Sequence, residues 1–119
     1  MKNTAPAELG TILKVLSDPS RLAIFDLLMQ GVQCNCELGD QLKLPINLIS
    51  HHLKVLRDAD LINAERDETD ARWIYYSVNR NTIVHLREQL DAFLDPKRIQ
   101  ARQPMCGPRV IPAKMIATR

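Results

Sequence analysis

The stretch CELGDQLKLPINLISHHLKVLRDA, residues Cys36–Ala59, decides how this chain folds. It holds two helical patterns joined by Lys43-Leu44-Pro45, a connection too tight to let the two helices separate. The first covers Cys36 to Leu42, with Asn35 or Cys34 near its cap, and the second runs from Pro45 or Ile46 to about Ala59. Within the second, Ile46, Ile49, Leu53 and Leu56 form a core stripe, while Asn47, Ser50, His51 and Lys54 share another face at spacings of three and four. One face packs and the other is left to read a partner. That combination predicts a helix-turn-helix.

Upstream, Leu9, Ile12, Leu13 and Leu16 fall on one helical face. A second helix opens at Ser17-Asp18-Pro19, where Asp18 caps and Pro19 suits the first helical position. It carries Leu22, Phe25, Leu28 and Met29 as its apolar stripe and stops near Gly31. Downstream the period changes. Asn63 to Arg66 and Arg72 to Val78 alternate or carry β-branched and aromatic residues around the polar turn Asp67-Glu68-Thr69-Asp70, which predicts a two-stranded hairpin. A fifth helix from about Asn81 to Leu94 has Ile83, Leu86, Leu90 and Phe93 available for core or subunit packing, and Asp95-Pro96 ends it. The fold class expected is mainly α with a β-hairpin wing (α+β), a winged helix-turn-helix. Residues 1–94 make the domain. Residues 95–119 hold four of the seven prolines, six of the sixteen Lys and Arg and a single acid, and should be a mobile basic tail carrying Cys106.

With 119 residues there is room for one modest core, and a domain of this size often buries more surface by dimerising. A net charge of +2 does not by itself demand nucleic acid, so a DNA argument rests on where the charges sit. No apolar run is long enough to cross a bilayer and Met1 to Glu8 lacks the apolar centre of a secretory signal, so a cytoplasmic protein without a membrane partner is expected. There, three cysteines read as free thiols, metal ligands or redox groups rather than as a disulfide framework.

Leu16-Ser17-Asp18-Pro19-Ser20-Arg21-Leu22, Cys34-Asn35-Cys36-Glu37-Leu38, Ile49-Ser50-His51-His52-Leu53-Lys54-Val55-Leu56-Arg57 and the wing ending Tyr75-Tyr76 together resemble the winged-helix metal-sensing repressors of the ArsR/SmtB family, over about residues 7–94. The resemblance implies a homodimer joined through its first and last helices. Its fourth helices would enter successive major grooves of double-stranded operator DNA, and metal binding would release the operator. The chain departs from the family at Asp60, where Gly commonly precedes the wing, and at Pro45 and Ile46, where polar residues usually begin the reading helix.

A helix in the major groove reads base edges with polar side chains of its N-terminal half, which nominates Asn47, Ser50, His51 and Lys54. Arg66 and Arg72 flank the wing turn and can reach the DNA backbone or minor groove. On an isolated helix such a polar stripe would be an ordinary solvated face; the short helix before it and the hairpin after it favour DNA reading. His52 reads equally well as structural, facing the core or the helix junction, and Trp73, Tyr75 and Tyr76 as strand packing.

Cys34 and Cys36 would point about 200° apart within a helix, but at a helix entrance they can converge, and the exposed amides there favour the anionic sulfur that binds metal. In the arsenic sensors that this chain resembles a third cysteine follows in the same helix, where Gly39 stands here, leaving Cys106 as the remaining thiol. Three sulfurs suit As(III) or Sb(III), whose lone pair fills the fourth direction. Cd(II), Pb(II) or Zn(II) would need Asp, His or water besides. The zinc site that the family carries on its last helix is not expected, because His85 lacks an acid two residues before it. A thiol redox switch joining Cys106 to one of the pair is the alternative mode of regulation. An enzyme is disfavoured, since neither a phosphate-cradling Gly-rich loop nor a dedicated base accompanies the cysteines.

Overall fold

The computed structural model describes residues 5–108 and 112–116. Helix α1 (Ala5–Leu16) leads through a sharp corner into α2 (Pro19–Met29), followed by the short strand β1 (Gln33–Cys34). Helices α3 (Asn35–Leu42) and α4 (Ile46–Asp58) come next, then strands β2 (Ile62–Arg66) and β3 (Ile74–Val78), and α5 (Arg80–Phe93). A 3-10 turn at Pro96–Arg98 and a short helix α6 (Ala113–Ile116) lie beyond. Residues 109–111 and 117–119 of the predicted mobile tail are outside the described residues.

The α1–α2 corner is built as the sequence dictates. Asp18 adopts extended backbone and its carboxylate accepts from the Arg21 amide at 3.0 Å, with Pro19 filling the first helical position. Helix α3 begins one residue earlier than expected. Cys34 is its cap, and the Glu37 carboxylate turns back to accept from the Cys34 amide at 2.9 Å. Between α3 and α4, Lys43 takes the left-handed conformation at φ 55° and ψ 45°. The turn stays tight because Gly39 has no side chain: a Cβ there would stand 3.2 Å from the Leu44 carbonyl oxygen.

The wing is larger than a hairpin. Its strands run in the order β1-β3-β2, all neighbours antiparallel. Cys34 faces Tyr75 and Gln33 faces Tyr76, so the expected two-stranded hairpin is corrected to a three-stranded sheet. Two residues carry no alternating pattern of their own, which is why β1 is invisible until its partner strand is known. Asp60, the departure from Gly, does sit in the left-handed region, at φ 62°. Its carboxylate accepts from Asn79 Nδ2 at 3.3 Å and Thr82 Oγ1 at 3.4 Å, tying this corner to the start of α5.

The core joins Leu9 of α1, Ile24 and Leu28 of α2, Leu38 of α3, and Ile49, Leu53 and Leu56 of α4 to Leu61, Ile62, Tyr76 and Leu86. Burying each such aliphatic side chain contributes about 1.5–3 kcal/mol. Part of each predicted stripe lies outside this core: Leu13, Leu22, Met29, Ile46 and Phe93 are exposed. Helical spacing locates a face but not its edges, and on α2 the centre of the buried face is Ile24 and Leu28 rather than Leu22 and Met29.

Candidate nucleic-acid interface and thiol site

Helix α4 carries Ile49, Leu53 and Leu56 fully inward, which leaves Asn47, Ser50, His51 and Lys54 exposed on its outer side. Among the described residues none of the first three is held by a side-chain hydrogen bond to another element, whereas Lys54 Nζ lies 3.0 Å from Asp58 one turn on. Four polar side chains of differing donor and acceptor type on one rigid, accessible helix match what base-edge reading requires. His52 is the exception in the run. It is 7% exposed and turned toward α2, where Arg21 Nη1 lies 3.4 Å from its Nδ1.

The wing tip is held by Asp67. Its Oδ2 accepts from the Thr69 amide, the Thr69 hydroxyl and the Asp70 amide at 2.7–3.0 Å, and its Oδ1 accepts from the Tyr75 hydroxyl at 3.2 Å. These donors, the Thr69 hydroxyl foremost, hold the Asp67 carboxyl below its ordinary range. Neither wing arginine is unengaged. Arg66 Nη1 donates to the Ala71 carbonyl at 2.6 Å, and Arg72 grips Asp70 with two hydrogen bonds of 2.8 and 3.0 Å while standing fully in solvent. Of the aromatics predicted to pack in strands, Tyr76 is buried, but Trp73 stands just ahead of β3 with nearly half its surface exposed.

Arg57, absent from the predicted reading face, stands exposed at the end of α4 and lines a cleft of about 450 Å³ with Asn63, Glu65 and Arg66. Its spacing of three from Lys54 is the signal that places it beside that face. Lys43, also exposed, presents a cation at the turn between α3 and α4.

The thiols lie around the start of α3. Cys34 is buried in β1 at 8% exposure, Cys36 is exposed in the first turn of the helix, and Cys106 is exposed in the segment beyond α5. All three are unbridged. Among the described residues no three His, Cys, Asp or Glu side chains are gathered as a metal site, so the three sulfurs are not brought together here. Gly39, where the resemblance implies a third thiol, is buried against Leu44 and Ile46 and has no room for one without moving backbone. No helix among the described residues is long and apolar enough to cross a membrane.

Comparison with known proteins places this geometry in company. Residues 18–64, from the α2 cap into β2, match the family described as bacterial regulatory protein, arsR family. The arsenical resistance operon repressor of Staphylococcus xylosus is 39% identical over 84 residues, covering 71% of this chain and 78% of that one. The repressor of the same description from Staphylococcus aureus is 47% identical over 60 residues, covering 50% of this chain and 58% of that one. The crystal structure of a possible transcriptional regulator for arsenical resistance superposes with a TM-score of 0.60 at 31% identity, covering 68% of this chain and 81% of that chain.

Proposed function

This chain belongs to the arsR family of bacterial regulatory proteins, and from that premise we propose that it is a repressor that grips operator DNA as a homodimer and lets go when As(III) or Sb(III) binds its thiolates. The family is one of transcriptional regulators, not of enzymes. The observation that carries the DNA half of the reading is the exposed run Asn47, Ser50, His51 and Lys54 on a helix whose opposite side is locked into the core. Asn47, Ser50 and His51 contact base edges. Lys54, Arg66 and Arg72 contact phosphates, exchanging their present carboxylate or carbonyl partners for DNA oxygens.

The inducer half rests on the chemistry of the donors and on the names of the relatives. Cys34 and Cys36 frame the first turn of α3, and Cys106 follows Leu94 by twelve residues, enough chain to reach about 40 Å when extended. Cys106 therefore reaches Cys34 and Cys36 of its own subunit or of the partner. Three sulfurs hold a pyramidal As(III), and tying α3 to the tail biases the helix-turn-helix away from its DNA-bound arrangement. Taking an operator from almost fully bound to almost fully free requires about 5.5 kcal/mol of differential affinity between the two states.

Operator affinity measured at fixed salt, with reductant present, tests both halves. Arsenite should release the wild type, while Cys34→Ser and Cys36→Ser should bind DNA normally and ignore arsenite. Release of those variants by arsenite removes the thiols from the mechanism. Release of the wild type only by peroxide, without reductant, replaces coordination with a redox switch. Cadmium and zinc in the same assay identify the metal.

A further inference from the structure

One polar side chain of α4 belongs neither to the reading face nor to the apolar core. His52 is buried at 7% exposure, its Nδ1 3.4 Å from Arg21 Nη1 and its Nε2 3.9 Å from Asp18 Oδ2. Arg21 also donates from Nε to the Val15 carbonyl of α1 at 2.7 Å, and its own amide is capped by Asp18 at 3.0 Å. Three helices thus meet at one guanidinium. A guanidinium has only donors, so the nitrogen facing it must be an unprotonated acceptor, and the ring proton sits on Nε2, toward Asp18.

We propose that neutral His52 is a positioning residue for DNA reading, the joint that sets α4 against the cap of α2, and that its protonation undoes this joint and loosens the grip on DNA. The inference rests on the reading of α4 as the DNA-contacting helix. Protonation places an N–H against the Arg21 guanidinium, turning a hydrogen bond into a clash of two donors and two positive charges. Among the described residues Asp18, 3.9 Å away, is the counter-charge paired with His52, and its carboxylate already accepts from the Arg21 amide. His51, on the same helix with its ring centroid 5.5 Å away, adds a further like charge when it protonates. Burial pushes His52 below the ordinary histidine range, with Asp18 opposing and Arg21 reinforcing the shift. Since His51 is its chain neighbour and Ser50 lies just beyond, any turn of α4 displaces the reading side chains, whose hydrogen bonds tolerate only a few tenths of an ångström.

The test uses a labelled duplex selected by the wild-type protein from a random pool, and the full-length chain at fixed ionic strength. His52→Asn sets its Oδ1 where Nδ1 stands and does not titrate. Between about pH 7.5 and about pH 5.5 the wild type should lose affinity about fivefold or more relative to this variant; superimposable profiles overturn the inference. A second arm needs no variant. Coupling is reciprocal, so the duplex must lower the pH at which the His52 ring protons titrate by NMR. A spectator beside phosphates shifts upward instead, and an upward shift of His52 overturns the inference. Failure to select any duplex sinks the DNA-reading role of α4 and this joint with it, whereas a duplex bound with a pH profile indifferent to His52 sinks the joint alone.

Discussion

His52 and Asp18, which face each other across the α2–α4 junction, both withdraw stability as pH falls, but in different pH windows. The folded His52 ring resists protonation because it is buried, so the unfolded chain takes up this proton first as pH falls. Its contribution is complete above the ordinary histidine value of about 6.5 and is lost as pH drops from there through the lower folded value. Asp18 is depressed, chiefly by the Arg21 amide, so its contribution is present above the ordinary carboxylate value and lost only in more acid solution. The urea midpoint should therefore fall from about pH 7 to about pH 5, and His52→Asn should flatten that slope while leaving the acid limb. An unchanged slope in the variant would assign the effect to other groups. Spacing alone cannot choose between a structural and a DNA-contacting His52, because its position falls between the Ile49-Leu53-Leu56 stripe and the polar face. Only the placement of Arg21, 31 residues earlier in the chain, decides it.

Among the elements, the turn from α3 to α4 stores a local cost. Lys43 holds a left-handed conformation that opposes its own Cβ by about 1 kcal/mol, in a place where glycine would be at ease. Lys43→Gly should raise the stability measured by denaturant unfolding by about 0.5 kcal/mol, the relief of strain outweighing the greater freedom of the unfolded chain. A loss of stability would mean that the Lys43 side chain makes a stabilising contact. In the wing the Arg72–Asp70 pair has to open before Arg72 can make the phosphate contact proposed for it. Asp70→Asn should tighten DNA binding at fixed salt by removing the carboxylate that competes for Arg72, and Arg72→Ala should lower the salt slope by about one contact; an unaltered slope in Arg72→Ala would take Arg72 out of the interface. The helices and the hairpin were legible because Asp18, Pro19, Pro45 and the polar run after Arg66 mark their ends. β1 was not, since it exists only through pairing with Tyr75 and Tyr76, some forty residues later. The thiol at Cys34 thereby lies within the wing sheet as well as at the start of α3, a double membership that spacing alone does not reveal.

For the whole molecule, the proposed homodimer raises the question of which apolar surface would meet a second copy. Helices α1 and α5 pack on each other, yet Leu13 on α1, Val84 and Phe93 on α5, and Leu94 just past its end remain 43–66% exposed. Helical periodicity singles out Leu13 and Phe93, but not Val84 or Leu94, and it does not distinguish core from subunit contact, because both demand the same side chains. The proposed homodimer, if it forms through these helices, would cover them and would set the two α4 helices at the separation of successive major grooves. Val84→Glu tests this, because Val84 lies outside the buried core and its loss should leave helix content intact. Sedimentation should then give the 13.5 kDa mass of a single chain rather than twice that, and operator affinity should fall about a hundredfold as the two half-sites bind independently. The competing surface is the groove on α2 lined by Pro19, Leu22, Ala23, Phe25 and Met29. If Val84→Glu stays dimeric and Leu22→Glu does not, the subunits meet through α2, and the reading helices must be spaced by a different axis.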